Sequence, residues 1–389
     1  MACEQLTRLG DVIELEDVKR EPISSRDRKD RKGSYPYYGA QGIVDYLDDY
    51  TYEGDYLLVA EDGENLRSRK NPIANAASGK FRVNNHAHVI AESEKCNLVF
   101  LRHLLNMTDI SAYVTGSTQP KLSQSNLCAM KLPLPSMAEQ NAIANVLSLF
   151  DRKIELNNQL NDYLEQCLLA RYDHLFRGAG TYNGTISDIG DVVGGATPSK
   201  KRPEYYCHEG IGWITPKDLS NTTNKFVAHG ADDITRVGFD SCSIKKLPAG
   251  TVLFSSRAPI GYIAIASDEV TTNQGFKSIV PHKEIGTAFV YCFLVRNKDR
   301  IADAGSGTTF PEVSGKTMAG IELTLPNINL CAKFEEWASP LLEEQRHLED
   351  ENRQLEDLRD TLLPKLMSGE IDVSKVDLTQ LTNNHLADY

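Results

Sequence analysis

The sequence predicts an α+β chain: two mainly β globular domains separated by two long helices that form an antiparallel coiled coil, with a pseudo-twofold internal repeat. Three observations carry this reading. The stretch Gly116 to Gly178 lies on Gly307 to Gly369 without a gap at a constant offset of 191 residues. Thirteen positions are identical, including Thr118/Thr309, Pro120/Pro311, Ser123/Ser314, Leu132/Leu323, Pro135/Pro326, Asn161/Asn352, Leu164/Leu355 and Leu175/Leu366. The punctuation matches as well: in both copies a Gly/Thr-rich turn leads to a short β-like run ending in Pro, a capping residue, a long helix and a terminal Gly. A repeat on this scale implies a chain with two similar surfaces and a partner that comes in two parts.

The boundaries follow from that punctuation. Residues 1–135 form the first globular domain, 136–180 the central helix, 181–326 the second domain, 327–369 the C-terminal helix and 370–389 a tail. In the first domain Tyr56–Ala60 reads as a strand and Asn97–Met107 as a helix. Ser136-Met-Ala-Glu139 after Pro133 and Pro135 is a capping box, the Ser hydroxyl and the Glu carboxylate each satisfying a free helix N–H. Behind it Leu147, Phe150, Ile154, Asn157, Asn161, Leu164, Leu168 and Leu175 keep a 3-4 spacing until Arg177-Gly178 stops the helix. In the second domain Thr251–Phe254, Tyr262–Ala266 and Ser278–Val280 read as strands and Thr287–Arg300 as a helix. Asn327 then caps a helix whose stripe is Leu341, Gln345, Leu348, Asn352, Leu355, Leu362 and Leu366, with Leu341, Leu348, Leu355 and Leu362 at every seventh position.

A helix of roughly 38 residues runs about 57 Å, too long for a small domain to bury its stripe. The two stripes are therefore expected to bury each other, with Asn161 and Asn352 at equivalent polar positions that fix register. The repeat extends weakly into the domains: Leu9-Gly-Asp-Val12 resembles Ile189-Gly-Asp-Val192, Gly54-Asp-Tyr-Leu-Leu58 resembles Gly250-Thr-Val-Leu-Phe254, and Asn84-Asn-His-Ala87 parallels Thr272-Asn-Gln-Gly275. The segments between do not match, so one scaffold carries two sets of loops.

Composition sets the limits. No apolar run approaches the length of a membrane span and the N-terminus is too polar for a signal peptide, so a cytoplasmic protein is expected. Eight cysteines lie far apart with no CxxC pair, which favours buried reduced thiols over a metal site. The net charge of −12 is concentrated at the end: residues 327–389 hold 6 basic and 14 acidic side chains, whereas both globular domains are close to neutral. A neutral domain can still gather Lys and Arg on one face.

Catalytic signatures are missing. The sequence has no GxxxxGK[ST] loop, no GxGxxG after a strand, and no HExxH or GxSxG. Asn71-Pro72 begins like the Asn-Pro-Pro-aromatic motif of adenine methyltransferases, but Ile73 and Ala74 end the likeness. Glu92-Ser-Glu94-Lys95 reads as a solvated turn, and His86 and His88 as structural hydrogen-bonding groups. No catalytic residue, metal ligand or bound cofactor is expected in this chain. Side chains suited to reading bases do cluster in the unmatched loops. The first domain offers Arg67, Arg69, Lys70, Ser78, Lys80, Asn84, Asn85, His86 and Lys121; the second offers Lys200, Lys201, Arg202, Thr215, Lys217, Ser255, Ser256, Arg257, Thr272, Asn273, Gln274 and Lys277. Arg and Lys pair with guanine, Asn and Gln with adenine, and Ser or Thr with base edges or phosphates. From these residues alone a DNA reader, an enzyme with an unrecognised site and a protein-binding scaffold all stay open.

At this point the chain resembles the specificity subunits of type I restriction-modification systems. The likeness rests on Phe254-Ser-Ser-Arg-Ala-Pro-Ile-Gly261, Thr272-Asn-Gln-Gly-Phe-Lys277, the turns Gly-Ser-Thr-Gln-Pro-Lys-Leu122 and Gly-Thr-Thr-Phe-Pro-Glu-Val313, Leu-Pro-Leu-Pro135-Ser-Met-Ala-Glu-Gln140, and Leu-Leu-Pro-Lys-Leu-Met-Ser-Gly369. Departures occur at Val59-Ala-Glu-Asp62, where the second half has Ser-Ser-Arg257, and at Asn327-Ile-Asn-Leu-Cys331, where the family carries Pro-Pro-Leu-x-Glu-Gln. The resemblance implies that each domain is a target recognition domain reading one half of a bipartite double-stranded DNA target. It implies further that the helices set the spacer and dock two methyltransferase subunits, with restriction/translocase subunits joining the complex. S-adenosylmethionine and ATP would then sit on those partner subunits, and this chain would be non-catalytic.

Overall fold

The computed structural model describes residues 6–176, 182–257, 259–306 and 311–373. Cys3, Arg177-Gly178, Ala258, Gly307–Phe310 and residues 374–389 lie outside them, so the predicted stop of the first long helix, parts of two family motifs and most of the tail are not among the described residues. The chain divides into two compact units: residues 1–153 with 355–389, and residues 154–354. The boundary falls within both long helices, so each unit combines a β domain with one stretch of each helix.

In the first unit a six-stranded sheet has the order 14–15, 87–91, 52–60, 74–83, 32–39, 42–47. The apolar run Leu57–Ala60 and the β-branched Val89-Ile90 suit strands buried on both faces. Gly54 and Gly79 face each other across the central pair, both with positive φ (127° and 78°), a backbone conformation that disfavours side chains. The helix Leu98–Met107, capped by the Asn97 side chain accepting from the Phe100 N–H, covers the sheet with Phe100, Leu101, Leu104 and Leu105.

In the second unit the order is 190–194, 277–281, 252–256, 260–266, 226–227. Position for position this is the first sheet without its outer strand, and in both sheets the 74–83 or 260–266 strand takes a parallel neighbour, 32–39 or 226–227. The helix Thr287–Asp303 matches Leu98–Met107. The predicted strands and both short helices are therefore present, and the repeat extends to sheet topology.

Each long helix spans 40 residues, Met137–Phe176 and Ile328–Met367. Ser136 and Glu139 form the expected capping box, with the Ser136 N–H donating to Glu139 Oε2 at 3.0 Å and the Glu139 N–H to Ser136 Oγ at 3.4 Å. Asn327 Oδ1 accepts from the Asn329 and Leu330 N–H groups. The helices pair antiparallel within each unit. In the first, Arg359 donates to Asp151 at 3.2 Å; in the second, Asn157 Nδ2 donates to Asn352 Oδ1 at 2.9 Å and Gln345 Nε2 to the Asn161 carbonyl at 3.1 Å.

The seam differs in detail from the leucine heptad. Leu147, Phe150, Leu168 and Leu348 are buried, while Ile154, Leu164, Leu341, Leu355 and Leu362 are half-buried. Leu342, Gln345, Leu363 and Leu366 join the buried set, so much of the seam on the second helix sits one residue beyond the heptad through Leu341 and Leu362. A straight helix of 3.6 residues per turn drifts relative to a seven-residue repeat, and the flanking β domains cover part of each stripe. Asn161 and Asn352 are equivalent in sequence but not in partner. Asn352 exchanges side-chain hydrogen bonds with Asn157 and Asn158, whose counterparts in the repeat are Leu348 and Glu349, so Asn161 is engaged through its backbone carbonyl instead.

Candidate nucleic-acid interface

In the first unit three loops meet beyond the end of strand Tyr52–Ala60. The Glu61 N–H donates to the His86 carbonyl at 2.8 Å and the Leu122 N–H to the Glu61 carbonyl at 2.7 Å, while Asp62 and Lys121 form an antiparallel bridge. This gathers Arg67, Asn84, Asn85, His86 and Lys121. Arg67 donates to the Ser117 carbonyl at 3.1 Å and also to that of Gly116, where φ is +84° and a Cβ would lie 2.2 Å from the Gln119 carbonyl. Lys121 is 53% exposed and 3.1 Å from Glu61, which is only 12% exposed and also held by Arg20 at 2.6 Å. Ser78 and Lys80 lie elsewhere, on the exposed side of strand Ala74–Val83, with Lys80 Nζ 4.7 Å from the Tyr50 ring centroid.

The histidines make structural hydrogen bonds. His88 is buried with Nδ1 2.6 Å from Asp17 and Nε2 2.8 Å from the Leu122 carbonyl, and His86 Nδ1 lies 2.7 Å from Asp62. Asp17, Glu61 and His88 are close enough to share an ion, but the Arg20 guanidinium sits among them, 3.3 Å from Asp17 and 2.6 Å from Glu61. Burial pushes the Asp17 carboxyl up, but hydrogen bonds from His88 and the Val89 N–H outweigh it and hold it below the usual range. The group is an internal ion network.

The second unit builds the same junction. The Ser256 N–H donates to the Gly275 carbonyl at 2.8 Å, the Val313 N–H to the Ser256 carbonyl at 3.0 Å, and Arg257 bridges Glu312. The Ala196 N–H donates to the Thr272 carbonyl and the Asn273 N–H to the Ile214 carbonyl, bringing Arg257, Asn273 and Gln274 near Lys217 on the short helix Pro216–Ser220 and Lys277 at the start of strand Lys277–Pro281. Gln274 is hydrogen-bonded to Thr197. Lys200, Lys201 and Arg202 are exposed on the 199–205 segment.

Several predicted contact residues are structural. Ser255 and Ser256 are fully buried: Ser255 Oγ donates to the Pro259 carbonyl at 2.9 Å and accepts from the Tyr262 N–H at 2.7 Å, and Ser256 Oγ donates to the Gly275 carbonyl at 3.1 Å. Thr272 is 1% exposed. Thr215 forms a capping box with Asp218, and Arg69, in a left-handed conformation with φ of 50°, donates to the Leu105 and Asn106 carbonyls at the end of helix Leu98–Met107. These five are buried or engaged within the fold. Polar composition alone does not separate them from neighbours such as Arg257 and Gln274, because the difference lies in which side of the junction each faces.

The long helices carry a second feature that spacing did not reveal. The buried Lys225 N–H donates to Glu349 Oε1 at 2.8 Å and the Phe226 N–H to Glu349 Oε2 at 3.1 Å, while Lys225 Nζ reaches Gln345 at 2.6 Å and Glu165. Tyr291 donates to Glu165 at 3.0 Å. A buried polar knot thus ties strand Phe226–Val227 to both helices of the second unit. In the first unit Asp151 instead ties helix Leu98–Met107 to both long helices, accepting from Arg102 and Arg359 and lying 2.9 Å from His103. Leu156, Leu160 and Tyr163 form an outward apolar stripe, 51%, 43% and 64% exposed.

The thiols fit their expected role only in part. Cys96, Cys292 and Cys331 are buried, and burial pushes the Cys96 and Cys331 thiols up to about 12. Cys128, Cys207 and Cys242 are half-buried and Cys167 is exposed, because it sits on the outer face of its helix.

Two similar β domains, each closed by a polar loop junction and joined to a stretch of both long helices, define a duplicated recognition module. The sequence matches the type I restriction modification DNA specificity domain over residues 5–166 and again over 181–330, and the chain belongs to that family. It is 43% identical over 145 residues to the type I restriction enzyme MjaIX specificity subunit of Methanocaldococcus jannaschii, a match covering 36% of this chain and 33% of the relative, so it spans about a third of that protein's length. Across 88% of this chain and 89% of the other, it is 23% identical to the type I restriction enzyme HindI specificity subunit of Haemophilus influenzae. In fold it is similar to the type I restriction-modification system S subunit of M. genitalium, with a TM-score of 0.57, 18% identity and coverage of 93% and 95% of the two chains. Among the described residues no helix is long and apolar enough to cross a membrane.

Proposed function

We propose that this chain is the non-catalytic specificity subunit of a type I restriction-modification complex, each β domain reading one half of a bipartite duplex DNA target. The observation that carries the reading is the duplicated junction: its backbone hydrogen bonds repeat, Glu61 to His86 and Leu122 in one unit and Ser256 to Gly275 and Val313 in the other, while the side chains on it differ. One scaffold with two unlike polar surfaces suits a target made of two unlike halves. Arg67, Asn85, His86 and Lys121 are exposed in the first unit, and Lys200, Lys201, Arg202, Lys217 and Gln274 in the second, with Arg257 and Lys277 half-buried beside them.

The long helices set the unread spacer and dock two methyltransferase subunits, with restriction/translocase subunits completing the complex. The acidic character of residues 327–389 favours a protein over DNA on that helix, since phosphates repel carboxylates. S-adenosylmethionine and ATP belong to the partner subunits, and the complex acts in the cytoplasm. Mapping methylated adenines genome-wide with and without the gene tests the whole reading. Loss of one split motif supports it, and an unchanged methylation map sinks it.

A further inference from the structure

The two recognition junctions are electrically inverted at their shared bridge. Matching backbone hydrogen bonds place Asp62 where the second unit has Arg257, and Lys121 where it has Glu312. The bridge is therefore acid-to-base in one unit and base-to-acid in the other. Exposure differs too. In the first unit the acids sit inward, Glu61 12% and Asp62 18% exposed, and Lys121 stands out at 53%. In the second the acid is outside: Glu312 is 40% exposed, 3.8 Å from Arg257 and 3.4 Å from Lys277.

Resting on the DNA-reading function proposed above, we infer that Glu312 is a specificity-determining residue of the second half-site: a counter-charge that holds Arg257 and Lys277 and lowers the attraction of this surface for DNA of the wrong sequence. Phosphate attraction is blind to sequence, so a carboxylate beside two cations subtracts from binding on every duplex. A correct base restores the balance by pairing with the freed guanidinium, or by donating to Glu312 itself as cytosine N4 does. Lys121, at the same place in the first unit, adds attraction on every duplex. Both half-sites are read, but the second carries at Glu312 a charge penalty on the wrong sequence that the first, with the outward Lys121 at this place, does not.

The test uses the full complex with its methyltransferase subunits and three duplexes: the target mapped from the methylome, the same duplex with the first half scrambled, and the same with the second half scrambled. Glu312→Gln, which keeps the side-chain size on an exposed position, should bind the second-half-scrambled duplex about three- to fivefold more tightly than wild type, the scale of one exposed ion pair. The slope of log affinity against log salt should steepen by about 0.9 on that duplex. Glu312→Asp should stay near wild type, and Lys121→Gln should weaken all three duplexes alike. Equal tightening on both scrambled duplexes, or weakening on all three by Glu312→Gln, overturns the proposal while leaving DNA reading intact. A wild-type complex that binds all three duplexes equally, or none, removes the DNA-reading function itself.

Discussion

The backbone N–H of Lys225 donates to Glu349 Oε1 at 2.8 Å, and that carboxylate, 6% exposed, also accepts from the next residue, Phe226. An acid from a long helix thus caps the start of an edge strand in the β domain. Burial raises the Glu349 carboxyl above its ordinary range, against the pull of the two N–H donors and the Lys225 charge.

Glu349→Ala should therefore destabilise the second unit by about 3 kcal/mol, because it strands the two buried N–H groups of Lys225 and Phe226, while the Lys225 ammonium keeps Glu165 and Gln345. The sign of the pH effect follows from the raised value: the contribution is full below the unfolded value of 4.5 and is lost as pH rises through the higher folded value. Urea melts from pH 7 down to pH 5 should show the gap between wild type and Glu349→Gln widening in favour of wild type as pH falls. A gap that narrows would refute this assignment.

Asp151 behaves in the opposite way. Burial raises its carboxyl, but the His103 hydrogen bond and the Arg102 and Arg359 charges outweigh it and hold it below 3.8. Its contribution is present above the unfolded value and lost as pH falls through the folded one. Asp151→Asn should cost the first unit about 1 to 3 kcal/mol at pH 7 and progressively less below 3.8, read as a urea midpoint.

Leu168 and Leu342 stand in the repeat where Arg359 and Asp151 stand, and both are buried in the second core. Leu168→Ala should cost about 2 to 5 kcal/mol in thermal or urea unfolding. Leu156→Ala, on the same helix but 51% exposed, should stay within about 0.5 kcal/mol of wild type.

Docking of a methyltransferase on the outward stripe predicts a separable phenotype. Replacing Leu156, Leu160 and Tyr163 together by Ser should leave the melting temperature unchanged and reduce the methyltransferase recovered by affinity purification. Full recovery would place the docking surface elsewhere.

The buried and exposed members of the second junction should also part company. Ser256→Ala removes a hydrogen bond to the Gly275 carbonyl and should cost about 1 kcal/mol with the methylation motif unchanged. Gln274→Ala should leave stability intact and relax one position of the second half-motif, scored by sequencing the methylome.

The sequence by itself determined what short-range chemistry encodes. Ser136 and Glu139, or Asn327, need only a few neighbouring residues to satisfy helix-end N–H groups, so the starts of both long helices are legible, as are β-branched runs such as Thr251–Phe254. A repeat at a fixed offset likewise survives as a pattern in one dimension. The tertiary structure decided what depends on residues far apart meeting. Ser255, Ser256 and Thr272 look like Arg257 and Gln274 in composition, yet a junction of three loops turns the first three inward. Lys225 and Glu349 are 124 residues apart with no counterpart pair in the other half, so no spacing announced them. The inverted bridge is of the same kind: Lys121 and Glu312 align in sequence, but only folding sets one beside an inward acid and the other between two cations.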